Sequence, residues 1–182
     1  MQSGQPLYLI GFMASGKTTL GRALALRLPG YEFVDLDEAI ECMAQKSIPD
    51  IFASEGEAVF RELEARALRQ YSVPGSIIAC GGGTPCYAAN MDYMLANGRV
   101  VWLVADDEVT RRRLRLARGL RPLVDSLLDD DDALQAYITK LKESRSPYYS
   151  RANVVFDSNL LEDAAQIKDS CDRFIELMKA LD

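Results

Sequence analysis

Eight residues near the start of the chain restrict its fold more than any others: Gly11-Phe12-Met13-Ala14-Ser15-Gly16-Lys17-Thr18, the pattern G-x-x-x-x-G-K-T. The pattern follows a short apolar run at residues 7–10, which reads as a buried strand. It opens a segment, residues 18–28, in which Leu20, Leu24 and Leu28 recur at helical spacing. Glycines let the backbone wrap closely around an anion with its N–H groups pointing inward, and the following helix adds its positive N-terminal end. The Lys17 ammonium and the Thr18 hydroxyl then complete a site for nucleotide phosphates and their Mg²⁺. A plain glycine-rich turn with a surface lysine is the alternative. The strand before the loop and the helix after it favour ATP or GTP.

Short apolar runs continue to alternate with longer helical patterns. Residues 33–36, 76–79, 100–104 and 153–156 read as further strands, and residues 38–44, 57–71, 108–118, 133–145 and 162–181 as helices. The last carries Ile167, Cys171, Phe174, Ile175 and Met178 on one stripe. This alternation implies an α/β fold of three layers, αβα, with a five-stranded parallel sheet covered on both faces. No repeat or linker divides residues 1–182, and the length predicts a single domain. Residues 117–132, with breakers at Gly119 and Pro122, many charges and little periodicity, read as a mobile lid.

Composition removes whole mechanisms. The chain has no histidine, which excludes Ser-His-Asp and Cys-His nucleophiles, His-ligated zinc and imidazole switches. Lys plus Arg is 21 and Asp plus Glu is 27, a formal charge of −6. Such a chain has no general attraction for nucleic acid or an anionic membrane. No apolar run reaches the length of a membrane span and no signal-peptide pattern opens the chain, so a cytoplasmic protein is expected. Cys42, Cys80, Cys86 and Cys171 lack paired metal-ligand spacing. Cys80 and Cys86 read as reduced packing residues in preference to a redox pair.

Chemistry must then rest on carboxylates, Lys, Arg, hydroxyls, backbone amides or a bound metal. Asp35 and Asp37 end the second strand, at the sheet edge where open α/β folds bind ligands. Acids two apart share one side of an extended chain. One can hold a metal-bound water while the other accepts a hydrogen bond from an acceptor hydroxyl; helix capping by Asp37 is an equal alternative. Arg61 and Glu64 are three apart and pair on one helix face, ordinarily at the surface. Gly81-Gly82-Gly83 follows a strand end and is longer than a turn requires, so a ligand can approach the backbone there. Arg111, Arg112, Arg113, Arg115, Arg118 and Arg121 crowd a short stretch in which several must be solvated helix charges. Arg121, between Gly119 and Pro122, is placed to swing over a phosphate. Residues 129–132 read as a solvated acidic turn and helix cap.

Together these motifs resemble the shikimate kinase family over nearly the whole chain, from Tyr8 to the last helix. The resemblance is carried by Gly11-Phe12-Met13 with Gly16-Lys17-Thr18, Asp35-Leu36-Asp37 with Ile40-Glu41, and Ile51-Phe52 with Gly56-Glu57. Phe60-Arg61 with Glu64, Gly81-Gly82-Gly83, Arg121-Pro122-Leu123 and Arg145-Ser146-Pro147-Tyr148-Tyr149 complete it. It implies a P-loop nucleoside-triphosphate kinase fold that phosphorylates the shikimate 3-hydroxyl with Mg²⁺-ATP, on the way to chorismate and the aromatic amino acids. By the same resemblance Ala14, Ser15, Gly16, Lys17, Thr18, Thr19, Arg118 and Arg121 would bind ATP, and Lys17, Asp37 and Arg121 would be catalytic. Thr18 would hold Mg²⁺ directly and Asp35 through water. Asp37, Arg61, Gly82 and Arg145 would bind shikimate: Asp37 at the ring hydroxyls, the two arginines at the carboxylate with Glu64 orienting Arg61, and Gly82 through its backbone. An adenine-stacking arginine corresponds to Arg115 or Arg118. A monomer without nucleic-acid or membrane partners is expected.

The chemistry agrees with that resemblance. A compact polyol monocarboxylate needs guanidiniums for its anion and a carboxylate for its hydroxyls. In-line phosphoryl transfer needs positioning and charge neutralisation more than a strong base. Two residues depart from the family pattern: Ala14-Ser15 replaces Gly-Ala, which costs backbone freedom at position 14, and Tyr148 replaces Leu. The alternatives are a gluconate or nucleoside-monophosphate kinase of the same fold and a nucleotide-binding regulatory module without turnover. Asp35-Leu36-Asp37 and the triple glycine favour a hydroxylated ring over the first, and the full set of catalytic parts argues against the second.

Overall fold

In the computed structural model, which describes residues 4–119 and 122–181, five strands form a parallel sheet. They are β1 (Leu7–Ile10), β2 (Glu32–Asp35), β3 (Ser76–Ala79), β4 (Arg99–Val104) and β5 (Val154–Asp157), in the order β2-β3-β1-β4-β5. Leu7 registers with Ile77 on one side and Arg99 on the other. The parity of β1 decides the layers, because successive side chains point to opposite faces. Leu7 and Leu9 pack with Leu20 and Leu24 of α1 (Lys17–Ala25) and with Phe174 and Met178 of α9 (Ala164–Lys179). Tyr8 and Ile10 pack with Ile40 of α2 (Leu36–Ala44), Ile51 of α3 (Ile48–Ser54), Leu68 of α4 (Gly56–Tyr71) and Met94 of α5 (Asn90–Asn97). A strand apolar at every position needs cover on both sides. The expected three-layer αβα architecture supplies it, and each Leu or Ile so buried contributes about 1.5–3 kcal/mol.

The structure shifts one boundary that matters chemically. β2 ends at Asp35, whose carboxylate accepts the Asp37 N–H at 3.1 Å and starts α2 at Leu36. Asp35 is therefore the cap, not Asp37, and the two acids do not share one side of an extended chain. Helices α3 and α5 were not legible in the sequence. At 7 and 8 residues they are too short to display a period.

A third apolar cluster joins Phe12 to Leu114 of α6 (Asp107–Leu116) and to Leu134 and Ile138 of α8 (Asp131–Tyr149). Val124 and Leu128 belong to the same cluster, so part of the segment expected to be a mobile lid packs against Phe12 of the glycine loop. It holds α7 (Pro122–Asp125), and the Gly119 N–H donates to the Asp125 carboxylate at 3.1 Å. One short helix and a turn carry too few apolar positions to show a repeat. Asp130 caps α8, accepting the Ala133 N–H at 2.9 Å. No helix among the described residues is long and apolar enough to cross a membrane.

Candidate active site

The glycine loop joins β1 to α1. Gly16, at the helix N-cap, takes φ 89°, which only glycine adopts freely. Ala14 is held in the same left-handed region at φ 59°. Lys17 folds back over the loop, its Nζ donating to the carbonyls of Gly11 (3.0 Å) and Phe12 (2.8 Å) and lying 3.4 Å from the buried Ser15 Oγ. Thr18 Oγ1 donates to Asp35 Oδ2 at 2.9 Å. A cavity of about 140 Å³ opens on this pair, lined also by Lys17, Asp37, Cys80 and Gly82. Thr19 is exposed in the first turn of α1 and does not line it.

The Thr18–Asp35 pair fits Mg²⁺. Both donors are hard oxygens, and this ion is ordinarily held by one or two protein oxygens, with water and phosphate completing its shell. Among the described residues no three His, Cys, Asp or Glu side chains gather to hold a metal on their own. A site built on substrate phosphates requires none.

Among the described arginines of the run that begins at Arg111, the guanidinium brought to the loop is that of Arg113. It donates to the carbonyls of Ala14 (3.3 Å), Ser158 (3.0 Å) and Asn159 (2.9 Å) and to Glu162 (3.0 Å), with its side chain only 12% exposed. The sequence concealed Arg113 within a run of similar residues. The available cue was Thr110 and Leu114, buried positions that turn this side of α6 inward. Arg118 is not brought to the loop; its guanidinium is exposed and paired with Asp129. Arg115 pairs with Asp131 and donates to the Leu128 carbonyl. Arg121 lies outside the described residues.

On the other side of the cavity, Glu64 is buried at 1% exposure and accepts from Arg61 Nη1 (2.9 Å) and Thr84 Oγ1 (2.6 Å). The pair expected at the surface is thus largely withdrawn from water. Arg61 also donates from Nη2 and Nε to Glu57 Oε1, at 3.0 and 3.3 Å. Burial works against the charge on Arg61, but the Glu64 and Glu57 carboxylates outweigh it and its pKa rises.

The triple glycine is a floor for these charges. A methyl group on Gly81 would lie 3.2 Å from Asp37 Oδ1, one on Gly82 2.7 Å from Arg145 Nη1, and one on Gly83 3.1 Å from Arg61 Nη1. Only a chain without side chains lets all three groups converge so closely. Tyr149 donates its hydroxyl to the Gly82 carbonyl, and burial pushes that hydroxyl up to about 12, so it remains a donor. Arg145 reaches the floor from α8, its guanidinium carbon 5.9 Å from the Phe12 ring centroid. Cys80 and Cys86 are both free, and burial pushes both thiols up.

An anion cradle with hard-oxygen metal donors therefore faces a carboxylate and two guanidiniums. That division of labour defines a P-loop phosphotransferase acting on a small, negatively charged acceptor. The family model for shikimate kinase matches residues 13–179. The chain is 39% identical over 174 residues to the shikimate kinase of Bacteroides thetaiotaomicron, covering 95% of this chain and 98% of that one. It is 44% identical over 155 residues to the shikimate kinase of Gloeobacter violaceus, covering 85% and 84%. The crystal structure of the Bacteroides thetaiotaomicron enzyme superposes with a TM-score of 0.90 over 96% of this chain and 98% of that one. A shikimate kinase from Acinetobacter baumannii, solved in complex with shikimate, is 31% identical and gives 0.83 over 98% and 95%. The chain belongs to the shikimate kinase family.

Proposed function

We propose that the chain transfers the γ-phosphoryl group of ATP to the 3-hydroxyl of shikimate, giving shikimate 3-phosphate and ADP on the route to chorismate. The observation that carries this reading is the convergence of Asp37, Arg61 and Arg145 on the glycine floor beside the Lys17, Thr18 and Asp35 cluster. The shikimate bound by the Acinetobacter baumannii relative supports the choice of acceptor.

ATP and Mg²⁺ are the cofactors of this family, and the residues present suit both. The N–H groups of Ala14, Ser15, Gly16, Thr18 and Thr19 receive phosphate oxygens, and Lys17 exchanges its loop carbonyls for them. Thr18 would hold Mg²⁺ directly and Asp35 through water, and the ion would supply charge neutralisation on the phosphates. Three of the five Arg61 N–H groups are engaged by Glu57 and Glu64. One remains on each terminal nitrogen, the pair that a carboxylate takes bidentately. Arg145 supplies the second grip, and the Gly82 backbone lies against the acceptor. Asp37 orients the attacking hydroxyl and receives its proton. Arg113, held against the Ala14 carbonyl, stands at the edge of the nucleotide, where Arg115 or Arg118 was expected. Arg121 acts on the phosphates from a lid formed by residues 117–132, which excludes water from the reaction. The single domain acts as a monomer in the cytoplasm, the latter supported by its free cysteines.

A panel of acceptors in a coupled ADP-release assay tests the reading. Turnover with shikimate is expected. Turnover with gluconate or a nucleoside monophosphate, and none with shikimate, would overturn it.

A further inference from the structure

Arg61 makes two ring contacts that the reaction scheme leaves unused, one of them at stacking distance. Its guanidinium carbon lies 3.8 Å from the centroid of the Tyr87 ring, a stacking distance, and 5.0 Å from that of Phe60. Tyr87 follows the 3-10 turn Thr84–Cys86, which continues from the glycine floor. It is 42% exposed, so the ring adds little to the core, and the Arg61 guanidinium lies over its face.

We propose that Tyr87 is a positioning residue of the acceptor site: its ring fixes the plane of the Arg61 guanidinium so that the two remaining N–H groups meet the acceptor carboxylate. The inference rests on the reading that Arg61 binds that carboxylate. Hydrogen bonds to Glu57 and Glu64 hold the guanidinium by its edges. Edge contacts resist rotation within the plane better than tilting out of it, and Glu57 is itself more than half exposed. A ring stacked on the face opposes the tilt. Guanidinium–ring attraction strengthens as water is removed, so a bound acceptor that covers the pocket tightens the stack. The same turn braces the other member of the pair, since Thr84 donates to Glu64. The ring face makes the contact, so phenylalanine preserves it and an aliphatic side chain does not.

Steady-state kinetics on four variants test the proposal. Tyr87→Leu is expected to raise the shikimate KM by about three- to tenfold while kcat and the ATP KM stay within about twofold. Tyr87→Phe is expected to restore the shikimate KM. Arg61→Ala is expected to raise it on its own, and adding Tyr87→Leu to Arg61→Ala is expected to raise it no further. An unchanged shikimate KM in Tyr87→Leu, a Tyr87→Phe enzyme as impaired as the leucine variant, or an equal further rise in the Arg61→Ala background would each overturn the inference. If Tyr87→Leu has no effect but Arg61→Ala raises KM, only the role of Tyr87 falls. An unchanged KM in Arg61→Ala removes the acceptor reading of Arg61 and the inference with it.

Discussion

Replacing Gly82 by alanine asks whether the glycine floor exists for Arg145 or for the turn. An ideal Cβ at Gly82 lies 2.7 Å from Arg145 Nη1, against the 3.4 Å at which ordinary contact begins, an overlap of 3.4 − 2.7 = 0.7 Å. The obstructing atom is the end of a flexible side chain, and φ at Gly82 is outside the left-handed region. The fold therefore yields by moving Arg145, at a cost of less than about 1 kcal/mol, or about 2–4 °C in Tm for a domain of this size. The acceptor site loses more. A hydrogen bond to a charged group contributes about 1.5–3 kcal/mol, so displacing Arg145 from a carboxylate should raise the shikimate KM about 10- to 150-fold. The loss is in ground-state binding, so kcat and the ATP KM should hold. Gly98→Ala is the contrasting variant. Its Cβ would lie 2.2 Å from the Pro6 carbonyl oxygen, a backbone atom that has nowhere to go. That change should lower Tm more than Gly82→Ala and leave the shikimate KM alone. Thermal melting and steady-state kinetics on the three proteins decide the matter. A Gly82→Ala enzyme with the wild-type shikimate KM, or with a Tm loss equal to that of Gly98→Ala, would refute the reasoning.

Other consequences are open to measurement. Ala14→Gly removes a left-handed conformation costing about 1–2 kcal/mol and adds about 0.4–1 kcal/mol of unfolded-chain entropy. Tm of the nucleotide-free protein should therefore rise by a few degrees, and a fall in Tm would contradict the account. Asp37→Asn should bind a fluorescent ADP analogue as tightly as the wild type while kcat drops by about 10²–10⁴; undiminished turnover would remove its role at the acceptor hydroxyl. Lys142 holds the Asp107 carboxyl below its usual value, Arg112 and Arg113 hold Glu162 down, and Arg27 with Lys168 holds Asp172 down. A carboxyl lowered by folding stabilises above its unfolded pKa of about 4, and that stability is lost as pH falls through the lowered value. With no histidine in the chain, Tm should be flat from pH 6 to 8 and decline below about pH 4 in a melting series.

The parts legible in the sequence are those whose chemistry is local. The glycine loop, its lysine and its threonine lie within one turn of chain, and β1 announces burial on both faces by being apolar throughout. The parts that were hidden depend on approach across the fold. Arg113 meets Ala14 from 99 residues away, and the only local cue that separates it from Arg112 is the inward side of α6 marked by Thr110 and Leu114. The burial of Glu64 is created by Thr84 and Arg61 together, and a three-residue spacing cannot reveal it. The triple glycine stood out as longer than a turn requires, but its charged neighbours Asp37, Arg61, Glu64 and Arg145 come from α2, α4 and α8. Asp35 and Asp37 separated into cap and helix because an extended run and a helix start differ there by one residue.

Helix α8 is seated at both ends, by Tyr149 at one and by Leu134 and Ile138, fully buried against Phe12 and Leu114, toward the other. Tyr149 is 2% exposed and bonded to the Gly82 carbonyl, and 19 residues separate the two ends of the rod, counted inclusively. At 1.5 Å per residue the helix is about 28 Å long. A tilt of about 5° around Tyr149 sweeps Asp131 through about 2.4 Å but Arg145, one turn from the pivot, through only about 0.5 Å. The helix is a lever with its long arm toward residues 117–132 and its short arm at the arginine. Any tilt about Tyr149 would be geared down more than fourfold at Arg145, the side chain proposed to grip the acceptor carboxylate.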